Sequence, residues 1–249
     1  MKLAAKTDIG HYRRENQDNY RAARLPDDTV WGFICDGMGG ASSGKLAAHL
    51  AAQALEDYFT QNLPSLQEGQ QHAFLRDAVA AANASVYAEA RRAREHSGMG
   101  TTVAGALVQK GRAYLFHAGD SRVYLYRNQA VRQLTRDHSM VQELVEKGAI
   151  TEQEAANHPR KNIITRALGI NPDVLAETGE CAVLPGDILL LCSDGLSNPV
   201  CDGDMAQILA DTPFYQAADA LVRRALDEGG QDNITALLIG VEPTEDNNG

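Results

Sequence analysis

No run in this 249-residue chain stays apolar for the ~18 residues a membrane helix needs, which excludes a spanning segment from the reading. The start, Met1-Lys2-Leu3-Ala4-Ala5-Lys6-Thr7-Asp8, meets a charge too soon to hold a signal-peptide core. Cysteine is scarce. Cys35, Cys181, Cys192 and Cys201 show no paired spacing and no CxxC, so neither a disulfide framework nor a thiolate zinc site is expected. Cys35 and Cys192 lie inside apolar runs, where a free thiol behaves as a small hydrophobe, and a reducing cytoplasm is the expected setting. Positive charge is also short: Lys and Arg total 23 against 33 Asp and Glu, a net charge of −10. Nucleic acid demands a basic footprint, so it is excluded as a partner. Repeats, low-complexity tracts and linkers are missing too. One domain over residues 1–241 is expected, with a polar tail at 242–249.

What is present gathers around Trp31-Gly32-Phe33-Ile34-Cys35-Asp36-Gly37-Met38-Gly39-Gly40. An apolar run of strand length, read as Thr29–Cys35, ends on Asp36, and a glycine-rich turn leads to an alanine-rich helix opened by Ser42-Ser43. A strand end holds a carboxylate firmly, although Asp-Gly after a strand is often only a turn. Helical periodicity follows over 43–59 and about 70–94. Residues 98–135 then change to short β-prone runs at hairpin spacing, with no room for crossover helices. Their neighbours must be antiparallel, which decides for an α+β fold against a parallel doubly wound sheet. Asp137-His138-Ser139 precedes a helix stopped by Gly148, and Thr151-Glu152-Gln153-Glu154 has the spacing of a capping box. The irregular polar segment at about 140–165 reads as a flap. Ile188–Cys192 is a second apolar strand, followed by Ser193-Asp194-Gly195; helices at about 202–210 and 214–227 and a last strand at 234–241 complete the chain.

Asp18, Asp36, Asp194 and Asp232 each sit in a polar turn beside a β-prone segment. Converging carboxylates repel unless cations bridge them, and oxygen ligation without Cys or His clusters points to Mg²⁺ or Mn²⁺. Two such ions lower the pKa of a bridging water, and Arg13 could hold an oxyanion bidentately. The chemistry implied is hydrolysis of a phosphate ester. The alternative for Arg13 is an exposed loop residue. A rival motif overlaps the same stretch: Gly39-Gly40-Ala41-Ser42-Ser43-Gly44-Lys45 matches the nucleotide-binding G-x-x-x-x-G-K. Position 46 is Leu where that motif needs Ser or Thr for Mg²⁺, and the antiparallel region does not belong in such a fold.

These pieces, taken in order, resemble the metal-dependent serine/threonine protein phosphatases (PPM family, type 2C), in particular the compact bacterial members that reverse Hanks-type kinases. The resemblance runs through Gly10-x-x-Arg13-x-x-Asn16-Gln17-Asp18, Asp36-Gly37-Met38-Gly39-Gly40, Gly100-Thr101-Thr102 and Gly119-Asp120-Ser121-Arg122. It continues through Leu134-Thr135-Arg136-Asp137-His138-Ser139, Arg166-Ala167-Leu168-Gly169, Ser193-Asp194-Gly195 and Asp232-Asn233. It implies an α-β-β-α sandwich of two antiparallel sheets with helix pairs outside. It also implies Asp36 bridging two Mn²⁺ or Mg²⁺ ions, Asp194 and Asp232 on the first, and the Gly37 carbonyl on the second with Asp18 acting through water. Arg13 would hold the substrate phosphate, and Asp120 with Asp194 a weaker third ion; the other reading of Asp120 is a hairpin-turn residue. Phosphorylated proteins and a Hanks-type kinase are the implied partners, and a monomer the expected state. Met38 stands where many eukaryotic members have a histidine, and Gln17 where they have a carboxylate. The general acid is therefore open, with His138 a candidate. A non-catalytic phosphoprotein binder and a phosphatase of small phosphate esters are the further alternatives.

Overall fold

Alternate residues of the strand Val30–Met38 go to opposite faces, as the pleat requires. Trp31, Phe33 and Cys35 enter one buried cluster, and Val30 and Ile34 enter another. That split sets the layering of the molecule. The computed structural model describes residues 1–39, 43–92 and 94–242. Its strands are β1 (Lys2–Asp8), β2 (Asp18–Arg24), β3 (Val30–Met38), β4 (Gly100–Thr101), β5 (Val103–Gln109), β6 (Arg112–Ala118), β7 (Arg122–Arg127), β8 (Ala130–Gln133), β9 (Glu177–Ala182), β10 (Ile188–Cys192) and β11 (Ile234–Gly240). The helices are α1 (Ser43–Asn62), α2 (Gln71–Arg92), α3 (Met140–Glu146), α4 (Glu152–Ala156), α5 (Asp194–Ser197), α6 (Asp202–Asp211) and α7 (Phe214–Asp227).

One sheet runs β1-β11-β10-β7-β8 and the other β2-β3-β5-β6-β9, with β4 added beside β3. The pairings are antiparallel throughout, from β1 on β11 to β7 on β8. Helices α1 and α2 cover the outer face of the second sheet. Their buried stripe of Ala47, Ala51, Ala52, Leu55 and Phe59 meets Leu75, Val79 and Val86 over Phe33 and Phe116. Small alanines bring α1 close to the sheet, and Phe59 fills the remaining space, its ring 5.2 Å from Trp31 and 5.0 Å from Phe74. Helices α6 and α7 cover the other sheet through Leu209, Leu221 and Val222 on Leu190, Ala236 and Leu238. Between the sheets lie Ile34, Ala104, Leu115, Val123, Leu189, Leu191, Leu237 and Ile239. The α-β-β-α sandwich expected from the sequence is therefore the observed one.

Three local differences from the sequence reading matter. Strand β3 does not stop before Asp36 but continues through Asp36 and Gly37 to Met38, and those last two residues pair with Thr101 and Gly100. Strands β2 and β9 are unmarked in the sequence because they are the two edges of their sheet, where half-exposed polar residues are normal. Gly119–Arg122 is not a hairpin turn: β6 and β7 lie in different sheets, so this segment crosses from one to the other. The flap helices form as capped, with Ser139 Oγ accepting the Gln142 N–H and Thr151–Glu154 making the full capping box. Gly40–Ser42 and residues 243–249, most of the expected tail, lie outside the described residues.

Candidate metal centre

At one end of the sandwich the inward-facing residues of strand after strand change from apolar to polar. Alternation places Asp36 on the face of Ile34, Asp18 on that of Tyr20, Thr102 on that of Ala104, Ser193 on that of Leu191 and Thr235 on that of Leu237. The antiparallel order brings these ends together, since β2 begins where β3 ends and β11 begins where β10 ends. Asp18 and Asp36 are direct cross-strand partners. Two carboxylates opposite each other in a ladder are destabilising unless something compensates them.

Each carboxylate is held by a different local device. Asp18 Oδ2 accepts the Ser193 Oγ–H at 2.7 Å and the Thr235 Oγ1–H at 2.6 Å. Its Oδ1 is buried and accepts no hydrogen bond among the described residues. Asp36 is fixed through its main chain: its N–H donates to Thr102 Oγ1 at 3.1 Å, and its C=O accepts from Thr101 Oγ1 and from the Thr102 N–H. Thr102 is braced in turn by Ser121, hydroxyl to hydroxyl at 2.7 Å. Asp194 is the first residue of α5, and Asn198, one turn on, donates Nδ2–H to its Oδ2 at 3.0 Å. Asp232 accepts from Arg13 Nη2 at 2.6 Å on Oδ2 and from the Asn233 N–H on Oδ1. Buried Asn233 ties three segments together, donating to Ile9 O and Glu15 O and accepting the Gln17 N–H.

Close backbone approach explains two of the glycines. A Cβ on Gly37 would sit 2.1 Å from the Gly44 carbonyl oxygen, and one on Gly195 would sit 2.0 Å from that of Asn233. Neither position has room for a side chain.

Arg13, Asp36, Gly37, Asp120, Asp194 and Asp232 line a single cleft of about 280 Å³ together with Met38, Thr102, Asn162 and Ile164. The structure thus brings every expected site residue to one place, with Asp18 just off the cleft wall. The flap contributes Asn162 and Ile164 to that wall. Lys45 of the rival motif is exposed on α1, and β3 has antiparallel neighbours on both sides, so the sheet context of a nucleotide-binding loop is missing. His138 does not line the cleft. It is 6% exposed, with Nδ1 accepting the Gly119 N–H and Nε2 facing Glu177, and burial followed by the neighbouring His117 pushes its pKa down to about 4. It is therefore placed against another segment instead of at the reacting groups.

The electrostatics are those of crowded like charges. Burial, then the charge of Asp18, raises Asp36 well above the usual carboxylate range. Burial pushes Asp18 up to about 6 against the pull of its two hydroxyl partners, and burial with Asp232 pushes Asp194 up to about 6. Burial with Asp194 takes Asp120 up to about 7. Cations would relieve every one of these shifts. Carboxylate and carbonyl oxygens with an orphaned buried Oδ1 fit hard divalent ions of the Mg²⁺ and Mn²⁺ kind. The sequence reading did not single out Ser193, Thr235, Thr102 or Asn233 for any role; the period-2 continuation past the apolar core was the signal that could have found the first three.

Known proteins share this sequence pattern and fold. A sequence profile of the family described as protein phosphatase 2C matches residues 10–238. The chain is 36% identical over 246 residues to the serine/threonine phosphatase stp of Listeria monocytogenes, covering 98% of each. The crystal structure of serine/threonine phosphatase Stp1 from Staphylococcus aureus superposes with a TM-score of 0.91 at 33% identity, covering 97% of this chain and 95% of that one. The catalytic domain of the serine/threonine protein phosphatase PstP, solved in complex with two manganese ions, gives a TM-score of 0.85 at 34% identity over 97% of this chain and 98% of that one. With the profile spanning almost the whole sandwich and relatives aligned end to end, the chain belongs to the protein phosphatase 2C family.

Proposed function

We propose that this chain is a metal-dependent serine/threonine phosphoprotein phosphatase. The observation that carries the reading is the convergence of Asp36, Asp120, Asp194 and Asp232 with Arg13 in one cleft, beside an Asp18 whose Oδ1 has no hydrogen-bond partner among the described residues. In this reading Asp36, Asp194, Asp232 and the Gly37 carbonyl would hold two Mn²⁺ or Mg²⁺ ions, with Asp18 acting through water, and Asp120 with Asp194 would hold a third, weaker one. When bound, such ions would supply an activated water and neutralise the phosphate.

The protein's own groups do the positioning. Ser193 and Thr235 keep Asp18 in one orientation, and the Thr102–Ser121 pair keeps the Asp36 backbone in place. Arg13 reaches Asp232 through one Nη2–H, which leaves the rest of its fork for phosphate oxygens. Residues 1–241 are read as one catalytic domain with a flap at about 140–165. Phosphorylated proteins and a Hanks-type kinase are the partners, in a cytoplasmic monomer. Among the described residues no helix is long and apolar enough to cross a membrane.

The test is phosphate release from phosphothreonine and phosphotyrosine peptides with Mn²⁺, with Mg²⁺ and with EDTA, beside an ATPase assay. Turnover of phosphothreonine that EDTA abolishes is expected. ATP hydrolysis lost in Lys45→Ala, without phosphoester turnover, would sink the reading.

A further inference from the structure

Beside the cleft lies a second polar cluster, in which ligand atoms of His117, His138 and Glu177 come within 4.8 Å of one another. Its spacing suits a metal ion, but its geometry does not. The two imidazoles stack with centroids 4.5 Å apart and planes within 6°. Ring lone pairs lie in the ring plane, so one ion cannot meet both rings. The protons are also in the wrong place. Gly119 donates its N–H to His138 Nδ1 at 3.1 Å, which puts the ring proton of neutral His138 on Nε2, facing Glu177 Oε2 at 3.2 Å. The Arg166 guanidinium, itself a donor, lies 3.1 Å from that protonated nitrogen as a neighbouring charge and not a hydrogen-bond partner, and His117 Nε2 meets the Arg136 carbonyl at 2.8 Å. The cluster is already complete without an ion.

What it does hold is the segment that carries Asp120. That segment crosses from β6 to β7, so no ladder fixes it, and its Gly119 sits at φ +120°, where the backbone has little preference of its own. Both main-chain groups of Gly119 go to His138: the N–H to Nδ1, and the C=O to the His138 N–H at 2.9 Å. The clasp continues as Arg122 pairs with Asp137 at 2.7 Å and the Val123 N–H donates to Thr135 Oγ1 at 3.0 Å. The His138 C=O accepts the Thr165 N–H at 2.7 Å, so the chain returning from the flap is tied to the same residue.

We propose that His138 is a positioning residue for Asp120, acting through its Nδ1 on the Gly119 amide and joining the Asp120 crossover to the base of the flap. The proposal rests on the reading of Asp120 as a ligand of the weakest ion. A buried amide left without its acceptor bears its full desolvation penalty, so the crossover should shift when Nδ1 is removed.

Two carboxamides separate the ring's nitrogens. Asn places an oxygen near the Nδ1 position, and Gln places its head near Nε2. Mn²⁺ binding to the full chain, followed by calorimetry and Mn²⁺ paramagnetic resonance, gives a readout independent of turnover; kcat against Mn²⁺ concentration accompanies it. His138→Gln should weaken the weakest Mn²⁺ site about tenfold and leave the tight sites in place. His138→Asn and Glu177→Gln should stay within about threefold of wild type. The reverse order, equal losses in the two His138 variants, or no loss in His138→Gln would overturn the proposal. If His138→Gln does not fold, the Asn variant decides alone: retention of the weak site after every Nε2 contact is gone supports the proposal, and its loss overturns it. Asp120→Asn run in parallel separates the two levels. An unchanged weak site there refutes the role of Asp120 and the inference with it, whereas a weakened site with an unaffected His138→Gln refutes the inference alone.

Discussion

The carboxylate cleft and the histidine cluster stand side by side at the same end of the sandwich, and both are crowded with titratable groups. In the cleft the carboxylates outnumber the Arg13 guanidinium, burial pushes Asp18, Asp120 and Asp194 upward together, and among the described residues Asp18 Oδ1 has no hydrogen-bond partner. In the cluster the signs alternate from Glu177 to Arg166, and His138 uses both nitrogens. The difference teaches how to tell a site that takes ions from one that holds backbone. Unmet electrostatics ask for a cation, whereas closed hydrogen bonding fixes a neighbour in place.

The sharpest way to break the cleft is Asp36→Asn, since the proposed assignment has one carboxylate there serve two cations; kcat should fall by about 10³-fold or more. Steady-state kinetics at saturating Mn²⁺ check it, and near-normal kcat would show that Asp36 does not bridge. Arg13→Ala should act on binding instead, raising KM by about 10-fold or more with a smaller fall in kcat. A lost kcat at unchanged KM would put the guanidinium on the transition state. Asp120→Ala should depress kcat by about 10-fold while the two tight ions and the fold remain. Melting would instead mark Asp120 as a purely structural crossover residue.

The smallest effect concerns stability and sharpens the comparison most directly. With metal removed by EDTA, folded-state values of about 6 for Asp18 and Asp194 and about 7 for Asp120 lie above the ordinary carboxylate value near 3.9. The folded chain then binds more protons than the unfolded one across that interval. The cluster's contribution is fully present below about pH 4 and is lost as pH rises through about 6 to 7. Melting followed by circular dichroism in EDTA should show Tm falling by about 5 °C from this source between pH 5 and 7.5. Saturating Mn²⁺, which binds the ionised carboxylates, should flatten the slope. An identical slope with and without Mn²⁺ would separate these groups from the metal site.

Much of this was legible in the chain. Helical periodicity marks α1 and α2, the Thr151–Glu154 capping box and the stop at Gly148 mark the flap, and hairpin spacing over 98–135 requires antiparallel pairing. Asp36 and Asp194 stand out because each follows an apolar strand. Strand β2, which carries Asp18, was not legible, because an edge strand of mixed polarity leaves no burial signal.

The sequence by itself determined the main helices, the antiparallel pairing over 98–135 and the residue types that gather oxygen ligands, because these follow from local periodicity and side-chain chemistry; the layers came only through the resemblance to the phosphatase family. Only the tertiary structure decided which residues meet. Asp18 faces Asp36 through a cross-strand register that no local pattern encodes, and Ser193 and Thr235 reach Asp18 from the opposite sheet. Gly119–Arg122 looks like a hairpin turn in one dimension, since turn residues between two β-prone runs read alike whether the strands share a sheet or not. Its crossing between sheets places Asp120 in the cleft and hands the Gly119 backbone to His138. That pairing spans 19 residues of chain, and hydrogen bonds between distant main-chain and side-chain groups exist only once the sheets have packed.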